Sequence, residues 1–204
     1  MPVLVSISKI NKKDIWRQIW GFNLYWIIII LFLYMLTIDM LKSLKSYQSF
    51  IPNQSQLEYY KMNNCDNDIL QLVSLSNKAF GELAMEHFTK EYFNLDDKSN
   101  TKHDHMKCNK KIEQKSCRYS CRGHLNFQHI ELDHDWDYLL LCFLDFHSIQ
   151  YFIASKEHVI HLKSMDVLRV QGSQGYVYKP RRHIDEDFTP VYDELDLIHF
   201  INQN

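Results

Sequence analysis

The sequence is poor in the residues that mark several common classes of protein. It has five glycines in 204 residues, and the pair Gly172 and Gly175 does not have the spacing of a nucleotide-binding fingerprint. Its five cysteines are odd in number and scattered, so they do not indicate a disulfide framework and they favour a reducing compartment. The formal net charge of −2 gives no overall signal for a nucleic-acid-binding protein. The length predicts one domain with an appendage.

The appendage contains a long apolar run. Residues 19–38 have only Asn23 and Thr37 as plainly polar members, and a helix of this length spans a bilayer core. Four basic residues precede the run and two follow it, at positions 9, 12, 13, 17, 42 and 45. No small-residue cleavage site follows, so the pattern predicts a signal-anchor helix within an N-terminal segment, residues 1–45.

A change in composition separates this segment from the rest. Residues 46–68 are polar and predict a linker, and globular patterning starts near Ile69, which predicts a domain over 69–204. Three interpretations remain open. The helix anchors an intracellular domain, or the domain works outside the cytosol, or the first residues are an upstream extension and translation starts at Met40 or Met62.

The stretch from Thr101 to Cys121 is the most informative part of the domain. Cys108-Asn109-Lys110 is a hairpin signal, because Asn109 can take the turn conformation. Asp104 then lies on one strand, Glu113 and Lys115 point to one face of the next strand, and the residue between them points away. Two neighbouring carboxylates favour a bound cation, and oxygen-only ligation suits magnesium. A lysine beside the ion can orient a water or stabilise charge on a phosphate.

Basic residues crowd the same stretch. From Lys98 to Arg122 there are eight, against only two acidic residues, at positions 98, 102, 107, 110, 111, 115, 118 and 122. This surplus is what binding to a phosphate backbone requires, although a solvated basic face has the same composition. The spacing Cys117-x3-Cys121-x2-His124 leaves a structural zinc as an alternative use of part of this segment.

The motifs that follow the hairpin complete a pattern. They are FQHI at 127–130, DWDYLLL at 135–141 and IQYFIAS at 149–155. With Asp104 and the Glu113-x-Lys115 motif before them, the chain from about residue 77 to 163 resembles the PD-(D/E)XK nuclease superfamily, and within it type II restriction endonucleases. Two positions depart from the usual pattern: Gln114 replaces an apolar residue, and His103 stands where the superfamily name has proline.

The resemblance implies a fold and a set of site residues. The fold is α/β, with a restriction-endonuclease-like core: a helix, a central mixed sheet that bears the catalytic hairpin, and flanking helices, here joined to the N-terminal apolar helix. Asp104, Glu113 and the carbonyl of Gln114 would hold Mg²⁺, and Lys115 would position the attacking water. Glu82 on the first helix is a further candidate ligand, although helical periodicity places it away from the apolar stripe. The candidate DNA-binding residues are Lys110, Lys111, Arg118, Arg122 and Gln128, of which the last can equally be a surface amide.

The function that follows is that of a magnesium-dependent DNA endonuclease. Restriction-type enzymes cut a short duplex sequence and do so as homodimers, so that both strands are cleaved. A junction resolvase or repair nuclease has the same core and stays open. An alternative from another class is a membrane-anchored, non-catalytic protein that binds nucleic acid or a partner through a decayed nuclease core.

The remaining segments predict the elements around the hairpin. Ser76 caps a helix to about Phe93, whose apolar stripe is Phe80, Leu83, Ala84, His87 and Phe88. The apolar run 138–146 predicts a strand covered on both faces, paired with 149–154 and followed by a helix over 156–163. Residues 123–134 fit a short helix or an irregular crossover. A last helix is expected from Thr189-Pro190, with apolar positions at Tyr192, Leu195, Leu197, Ile198 and Ile201.

Overall fold

The computed structural model describes residues 54–98, 102–180 and 183–204. All of them belong to one compact unit, Tyr47–Asn204. The apolar run 19–38 and the N-terminal part of the polar segment lie outside the described residues. Within the described ranges, no helix is long and apolar enough to cross a membrane.

The described chain contains helices and two sheets. The helices are α1 Gln54–Met62, α2 Asn67–Val73, a π-helical segment Ala79–Met85 that continues into α3 Glu86–Phe93, α4 Lys156–Ser164, a 3-10 turn Ile184–Glu186 and α5 Glu194–Gln203. The strands are β1 Asp96–Asp97, β2 His105–Lys107, β3 Lys110–Arg118, β4 Phe127–Ile130, β5 Tyr138–Leu144, β6 Ile149–Ser155, β7 Leu168–Val170, β8 Tyr176–Tyr178 and β9 Thr189–Val191.

The larger sheet is mixed, as the sequence predicts. Its six strands lie in the order β1-β2-β3-β5-β6-β9; β3 and β5 are parallel and the other neighbours are antiparallel. The central strand β5 is buried at every position, which fits its unbroken apolar sequence. On one face, Leu141 and Phe143 of β5 pack with α4 and with a second, three-stranded sheet in the order β4-β8-β7. The fold class is therefore α/β, with helices flanking a mixed sheet.

The hairpin of β2 and β3 forms where the sequence predicts it. Lys107 pairs with Lys110, so the loop is the two residues Cys108 and Asn109. Both have positive φ, 52° and 61°, which is the geometry of a type I′ turn. This turn twists with the strands and so fixes their register, which places His105 opposite Ile112.

The polar composition of residues 46–68 predicts a linker, and this prediction is wrong for residues 54–62. They form α1, and Tyr60 is completely buried. The Tyr60 hydroxyl donates to the carbonyl of Leu144 at 2.6 Å and accepts from the backbone N–H of Tyr119 at 3.0 Å. Its ring also packs edge-on against Phe146. The domain therefore includes α1.

The helix after Ser76 departs from regular periodicity. The Ser76 hydroxyl accepts from the backbone N–H of Ala79 at 3.2 Å, as a capping residue does. The seven residues Ala79–Met85 are π-helical, and this wider turn shifts the faces of the helix. Of the predicted stripe, Phe80 and Ala84 are buried, but Leu83, His87 and Phe88 are only half-buried. Met85, Thr89 and Phe93 complete the buried face instead.

The C-terminal prediction is wrong in its first part. Thr189–Val191 is an edge strand that pairs with β6, where proline is tolerated because no ladder donor is required on the outer side. Helix α5 begins only at Glu194, after Asp193, whose carboxylate accepts from the backbone N–H of Asp196 at 2.9 Å. Tyr192 and Leu195, which were expected to pack, are 70% and 75% exposed.

The remaining elements can also be compared with the sequence-based predictions. Residues 127–130, left open between helix and crossover, are strand β4 of the second sheet. Of the apolar positions predicted in the last helix, Leu197 and Ile201 are buried. The hairpin of β5 and β6 and the helix after it lie where they were predicted.

Candidate active site

Asp104 is fixed to β3 by two hydrogen bonds. Its backbone N–H donates to the carbonyl of Ile112 at 3.0 Å, and its Oδ2 accepts from the backbone N–H of Gln114 at 2.8 Å. The ladder between β2 and β3 ends at the pair of His105 and Ile112, so the Asp104 side chain takes the place of the next ladder partner. The two bonds bracket Glu113, and the two carboxylates are thereby held side by side.

Glu113 and Lys115 lie on one face of β3, as alternation predicts. Lys115 Nζ donates to Glu113 Oε1 at 2.5 Å. The side chains are 7% and 18% exposed, so this is a largely desolvated ion pair. Burial raises the pKa of the Glu113 carboxyl, the negative charge of Asp104 raises this pKa further, and Lys115 opposes both effects.

A third carboxylate belongs to the same electrostatic environment, and it is not the one that the sequence suggested. Burial raises the pKa of Glu86, at the start of α3, to about 8, and the charge of Asp104 adds to that rise. Lys115 acts on the same group in the opposite direction. Glu82 instead is 61% exposed and pairs with Lys78 at 3.7 Å, one helical turn away. Glu86 is therefore the glutamate of this helix on which the charge of Asp104 acts.

Gln114 makes hydrogen bonds through both its backbone and its side chain. In a strand the N–H and C=O of one residue point to the same side, so its carbonyl points, like its N–H, toward Asp104. Its side chain points away from Glu113, as predicted, and is buried. Its Oε1 lies 2.9 Å from His105 Nε2, and its Nε2 donates to Ser116 Oγ at 2.8 Å. Burial lowers the pKa of His105, so the imidazole is neutral near pH 7 and its Nε2–H donates to the amide.

These groups fit a loosely coordinated magnesium ion and do not fit a closed protein cage. The Asp104 and Glu113 carboxylates and the Gln114 carbonyl are hard oxygen donors. The pKa values of Glu113 and Glu86 are raised first by burial and then by the charge of Asp104, and a bound cation would oppose both effects by favouring the ionised carboxylates. Among the described residues, no three His, Cys, Asp or Glu side chains are grouped closely enough to hold a metal. Mg²⁺ commonly takes one or two carboxylates and keeps several waters, so this set is sufficient for it.

No protein-family model, curated protein or solved structure matches this chain. The function therefore has to be inferred from the residues of the site and their surroundings.

Arg118 was predicted to contact DNA, and the structure assigns it a different role. Its guanidinium donates to the carbonyls of Leu72, Val73 and Leu75 at 2.8 to 3.0 Å and to Asn77 Oδ1 at 3.1 Å. It also lies over the ring of Phe80, 4.7 Å from the centroid. Burial lowers its pKa to about 10, which still leaves it charged near pH 7. Arg118 thus binds the end of α2 to the sheet.

Replacing Arg118 by methionine should lower the free energy of unfolding by about 3 kcal/mol, because several carbonyls would lose a charged donor inside the protein. Urea unfolding followed by circular dichroism measures this change. The matched control is Arg122→Met, which removes an exposed arginine and should change stability by less than about 0.5 kcal/mol. Equal stability of the two variants would contradict the structural role of Arg118.

The other candidate DNA-binding residues are distributed over the surface. Lys110 and Arg122 are exposed, and so is Gln128, which lies on β4 of the second sheet and not on the hairpin. Lys111 Nζ donates to Asp135 Oδ2 at 2.6 Å. Lys107, also in the basic stretch, donates to the carbonyl of Asn94 and to Glu194. Fewer cations of this stretch are therefore available to a ligand than its composition indicates.

The cysteine and histidine spacing does not bring its members together in one environment. Cys117 is buried in the core, whereas Cys121 and His124 are exposed. Burial also raises the pKa of the Cys117 thiol, which disfavours the thiolate that zinc requires. The zinc alternative gains no support from this arrangement.

Proposed function

We propose that the chain is a magnesium-dependent DNA endonuclease of the PD-(D/E)XK type, with a restriction-endonuclease-like core and restriction-type cleavage at a short duplex sequence. The observation that carries the proposal is the pair of hydrogen bonds that holds Asp104 across Glu113. They hold Asp104 beside the backbone of Glu113, whose carboxylate accepts from Lys115, and this supports the interpretation of the hairpin as a D…E-x-K motif.

Each residue has a role that its position supports. Asp104, Glu113 and the Gln114 carbonyl would hold Mg²⁺, which when bound lowers the pKa of a water and polarises the phosphate. Lys115 donates to Glu113, and its ammonium can also donate to the attacking water or to a phosphate oxygen as negative charge develops. Glu86 keeps its proton up to a pKa of about 8, so it would add a negative charge beside Asp104 only when a bound divalent cation or a higher pH removes that proton.

The exposed basic residues would hold the DNA backbone. Lys110 and Arg122 are available for phosphate contacts, and such contacts position the duplex without reading its sequence. Cleavage of both strands at one site would need two active sites, which a homodimer provides. A junction resolvase or a repair nuclease would use the same hairpin chemistry.

A specific observation favours a second function. Lys115 already neutralises Glu113, and no metal-binding group of three acidic, histidine or cysteine side chains is found in the described part of the chain. A decayed nuclease core that binds nucleic acid or a partner without cleavage would keep this ion pair as a structural element. Its proposed membrane anchor, residues 19–38, lies outside the described residues.

Cleavage of DNA by the full-length chain distinguishes these functions. Supercoiled plasmid and genomic DNA are incubated with the protein in Mg²⁺ or in EDTA. We expect nicked and linear plasmid only with Mg²⁺, and discrete genomic fragments if cleavage is sequence-specific. A magnesium-dependent smear would favour a repair or non-specific nuclease. DNA binding without cleavage by a folded protein would reject the proposal in favour of the second function.

The titration of Glu86 gives a test that needs no DNA. In the folded protein this carboxyl keeps its proton up to a pKa of about 8, whereas in the unfolded chain it ionises near its ordinary value, so the folded state binds more protons between these values. The contribution of Glu86 to stability therefore falls as the pH rises through this interval. Glu86→Gln should be more stable than the wild type at pH 8, by about 1–2 kcal/mol once solvent screening is allowed for, and similar to it at pH 5.

Urea unfolding at the two pH values, without divalent ions, measures this difference. Glu82→Gln is the matched control, since Glu82 is exposed on the same helix, and it should show no such pH dependence. Addition of Mg²⁺ at pH 8 should stabilise the wild type more than Glu86→Gln, because the cation favours the ionised carboxylate. Identical pH profiles for Glu86→Gln and the wild type would contradict the placement of Glu86.

A further inference from the structure

A large groove opens at the end of the central sheet, where β5, β6 and β9 adjoin. Its volume is about 1070 Å³. Residues from both faces of the sheet line it: Phe143, Gln150 and Phe152 on the face that carries Glu113 and Lys115, and Tyr151 and Val191 on the opposite face. Tyr119, which follows the last residue of β3, lines the groove beside Phe143. None of the three active-site side chains lines it. The volume lies at the upper end of those of small-molecule sites and is sufficient for a nucleotide.

One mouth of the groove is formed by exposed aromatic residues. Tyr192 is 70% exposed and Tyr92 is 55% exposed, and both line the groove. Tyr92 is held in place, because its ring stacks on Tyr151 with centroids 5.5 Å apart and its hydroxyl donates to the carbonyl of Tyr192 at 2.5 Å. This bond also anchors the backbone of Tyr192. A fixed backbone with an uncovered ring makes a platform on which a planar ligand can stack.

The inner part of the groove offers an oriented amide. Gln150 Nε2 donates to Asp145 Oδ2 at 2.9 Å, which fixes the rotation of the amide. Within the described ranges the Gln150 side chain makes no other hydrogen bond, so its carbonyl oxygen and second N–H can serve a ligand. Asn126 lines the groove as well. A side-chain amide presents a donor and an acceptor together, which matches the edges of nucleobases.

The rim carries groups that suit a phosphate. Lys179, His124 and His183 line the groove and are exposed. Asp185 and Asp145 also line the groove, so the local charge is mixed, and Lys179 supplies the permanent positive charge among the lining residues that the structure describes. Aromatic platform, amide and cation together match a nucleotide better than an apolar ligand or a free phosphate.

We propose that this groove binds an unpaired nucleobase, which stacks on Tyr192, hydrogen-bonds to the Gln150 amide, and has its phosphate near Lys179. Tyr119 lies four residues after Lys115, which is about 13 Å in an extended chain at 3.3 Å per residue. That distance corresponds to about four nucleotides at the 3.4 Å spacing of stacked bases. The statement that the base belongs to the strand held at the hairpin rests on the proposed nuclease function; the base binding itself does not.

Fluorescence anisotropy with a labelled single-stranded oligonucleotide tests the groove. The full-length chain, in mild detergent because of its apolar run, is titrated in EDTA so that no cleavage occurs. The comparison probe is an oligonucleotide of the same length with abasic residues, which keeps the phosphates and removes the bases. We expect the base-bearing probe to bind at least about tenfold more tightly.

Variants then locate the binding. Tyr192→Ala removes an exposed ring at little cost in stability and should weaken binding of the base-bearing probe about tenfold, without effect on the abasic probe. Leu195→Ala is the matched control, since Leu195 is 75% exposed and does not line the groove, and it should bind as the wild type does. Lys179→Ala should weaken binding of both probes. Gln150→Leu, similar in size, should act only on the base-bearing probe.

The experiments distinguish an error in the base-binding proposal from an error in the nuclease proposal. Equal affinity for the two probes, or wild-type affinity of Tyr192→Ala and Gln150→Leu, would overturn the base-binding proposal even if magnesium-dependent cleavage occurs. Base-dependent binding that is lost in Tyr192→Ala would support it even if the protein does not cleave DNA.

Discussion

Replacing Lys115 by methionine is expected to lower the rate of DNA cleavage by about a hundredfold to a thousandfold. The ammonium group that bonds to Glu113 would be lost, and with it the donor available to the attacking water and to the phosphate as charge develops. The measurement is the rate of plasmid nicking at saturating Mg²⁺, with circular dichroism to establish that the variant is folded. DNA binding in EDTA should change little, because one of several basic residues is removed.

The same hairpin supplies the control. Lys110→Met removes an exposed lysine from the first position of β3 and should retain the cleavage rate within about threefold, because a single phosphate contact positions the duplex without acting on the reaction. If Lys115→Met does not fold, since it leaves Glu113 buried without its cation, Asp104→Asn replaces it. The asparagine oxygen can still accept from the Gln114 N–H, and the variant should lose cleavage to a similar extent. A wild-type rate of cleavage by either folded variant would contradict the proposed active site.

A chain that starts at Met62 is expected to be strongly destabilised, whereas a chain that starts at Met40 should fold. Starting at Met62 removes most of α1, including Tyr60, whose burial and hydrogen bonds we expect to contribute about 3–5 kcal/mol. That loss is comparable to the whole stability of many domains. Chemical unfolding of the two chains followed by tryptophan fluorescence measures the difference.

Single substitutions separate the role of Tyr60 from that of the chain length. Tyr60→Phe keeps the ring and leaves the Leu144 carbonyl and Tyr119 N–H without their partner, so it should cost about 1–3 kcal/mol. Met62→Ala alters an 81% exposed residue of the same helix and should be neutral. Equal stability of the chains that start at Met40 and Met62 would show that α1 is not part of the folded domain.

The hairpin could be predicted because its signals are local. Asn109 favours positive φ, and strand alternation alone places Glu113 and Lys115 on one face with the Gln114 side chain on the other. The position of Asp104 next to Glu113 also follows from the length of the hairpin. The hydrogen bonds of Gln114 with His105 and Ser116 give its buried amide polar partners, and these bonds become visible only when the strands are paired.

Features that depend on distant segments could not be predicted. Glu86 and Glu82 are one turn apart on a helix, and only the packed structure shows that Glu86 is partly buried and under the charge of Asp104, whereas Glu82 is exposed. Arg118 and Arg122 look equivalent in the sequence. The carbonyls that engage Arg118 come from residues 72–75, more than forty positions earlier in the chain.

The structure of the polar segment 46–68 also depends on contacts with distant residues that the sequence does not reveal. Its composition is that of a linker, but the buried surface of α1 comes from tyrosines that pack with Tyr119 and Phe146. At the other end, the Thr189-Pro190 signal fits a helix start and an edge strand equally well. Pairing with β6 decides between them.

Binding of a divalent cation at the hairpin is the most direct test of the proposed active site. Mn²⁺, which can be followed by electron paramagnetic resonance and competed with Mg²⁺, is titrated into the wild type, Asp104→Asn and Glu82→Gln at pH 8. We predict that the wild type and Glu82→Gln bind Mn²⁺ with the same affinity and that Asp104→Asn binds it at least about tenfold more weakly, as expected when a carboxylate ligand is removed. Undiminished Mn²⁺ binding by Asp104→Asn, or no competable binding by the wild type, would contradict a magnesium site at this hairpin.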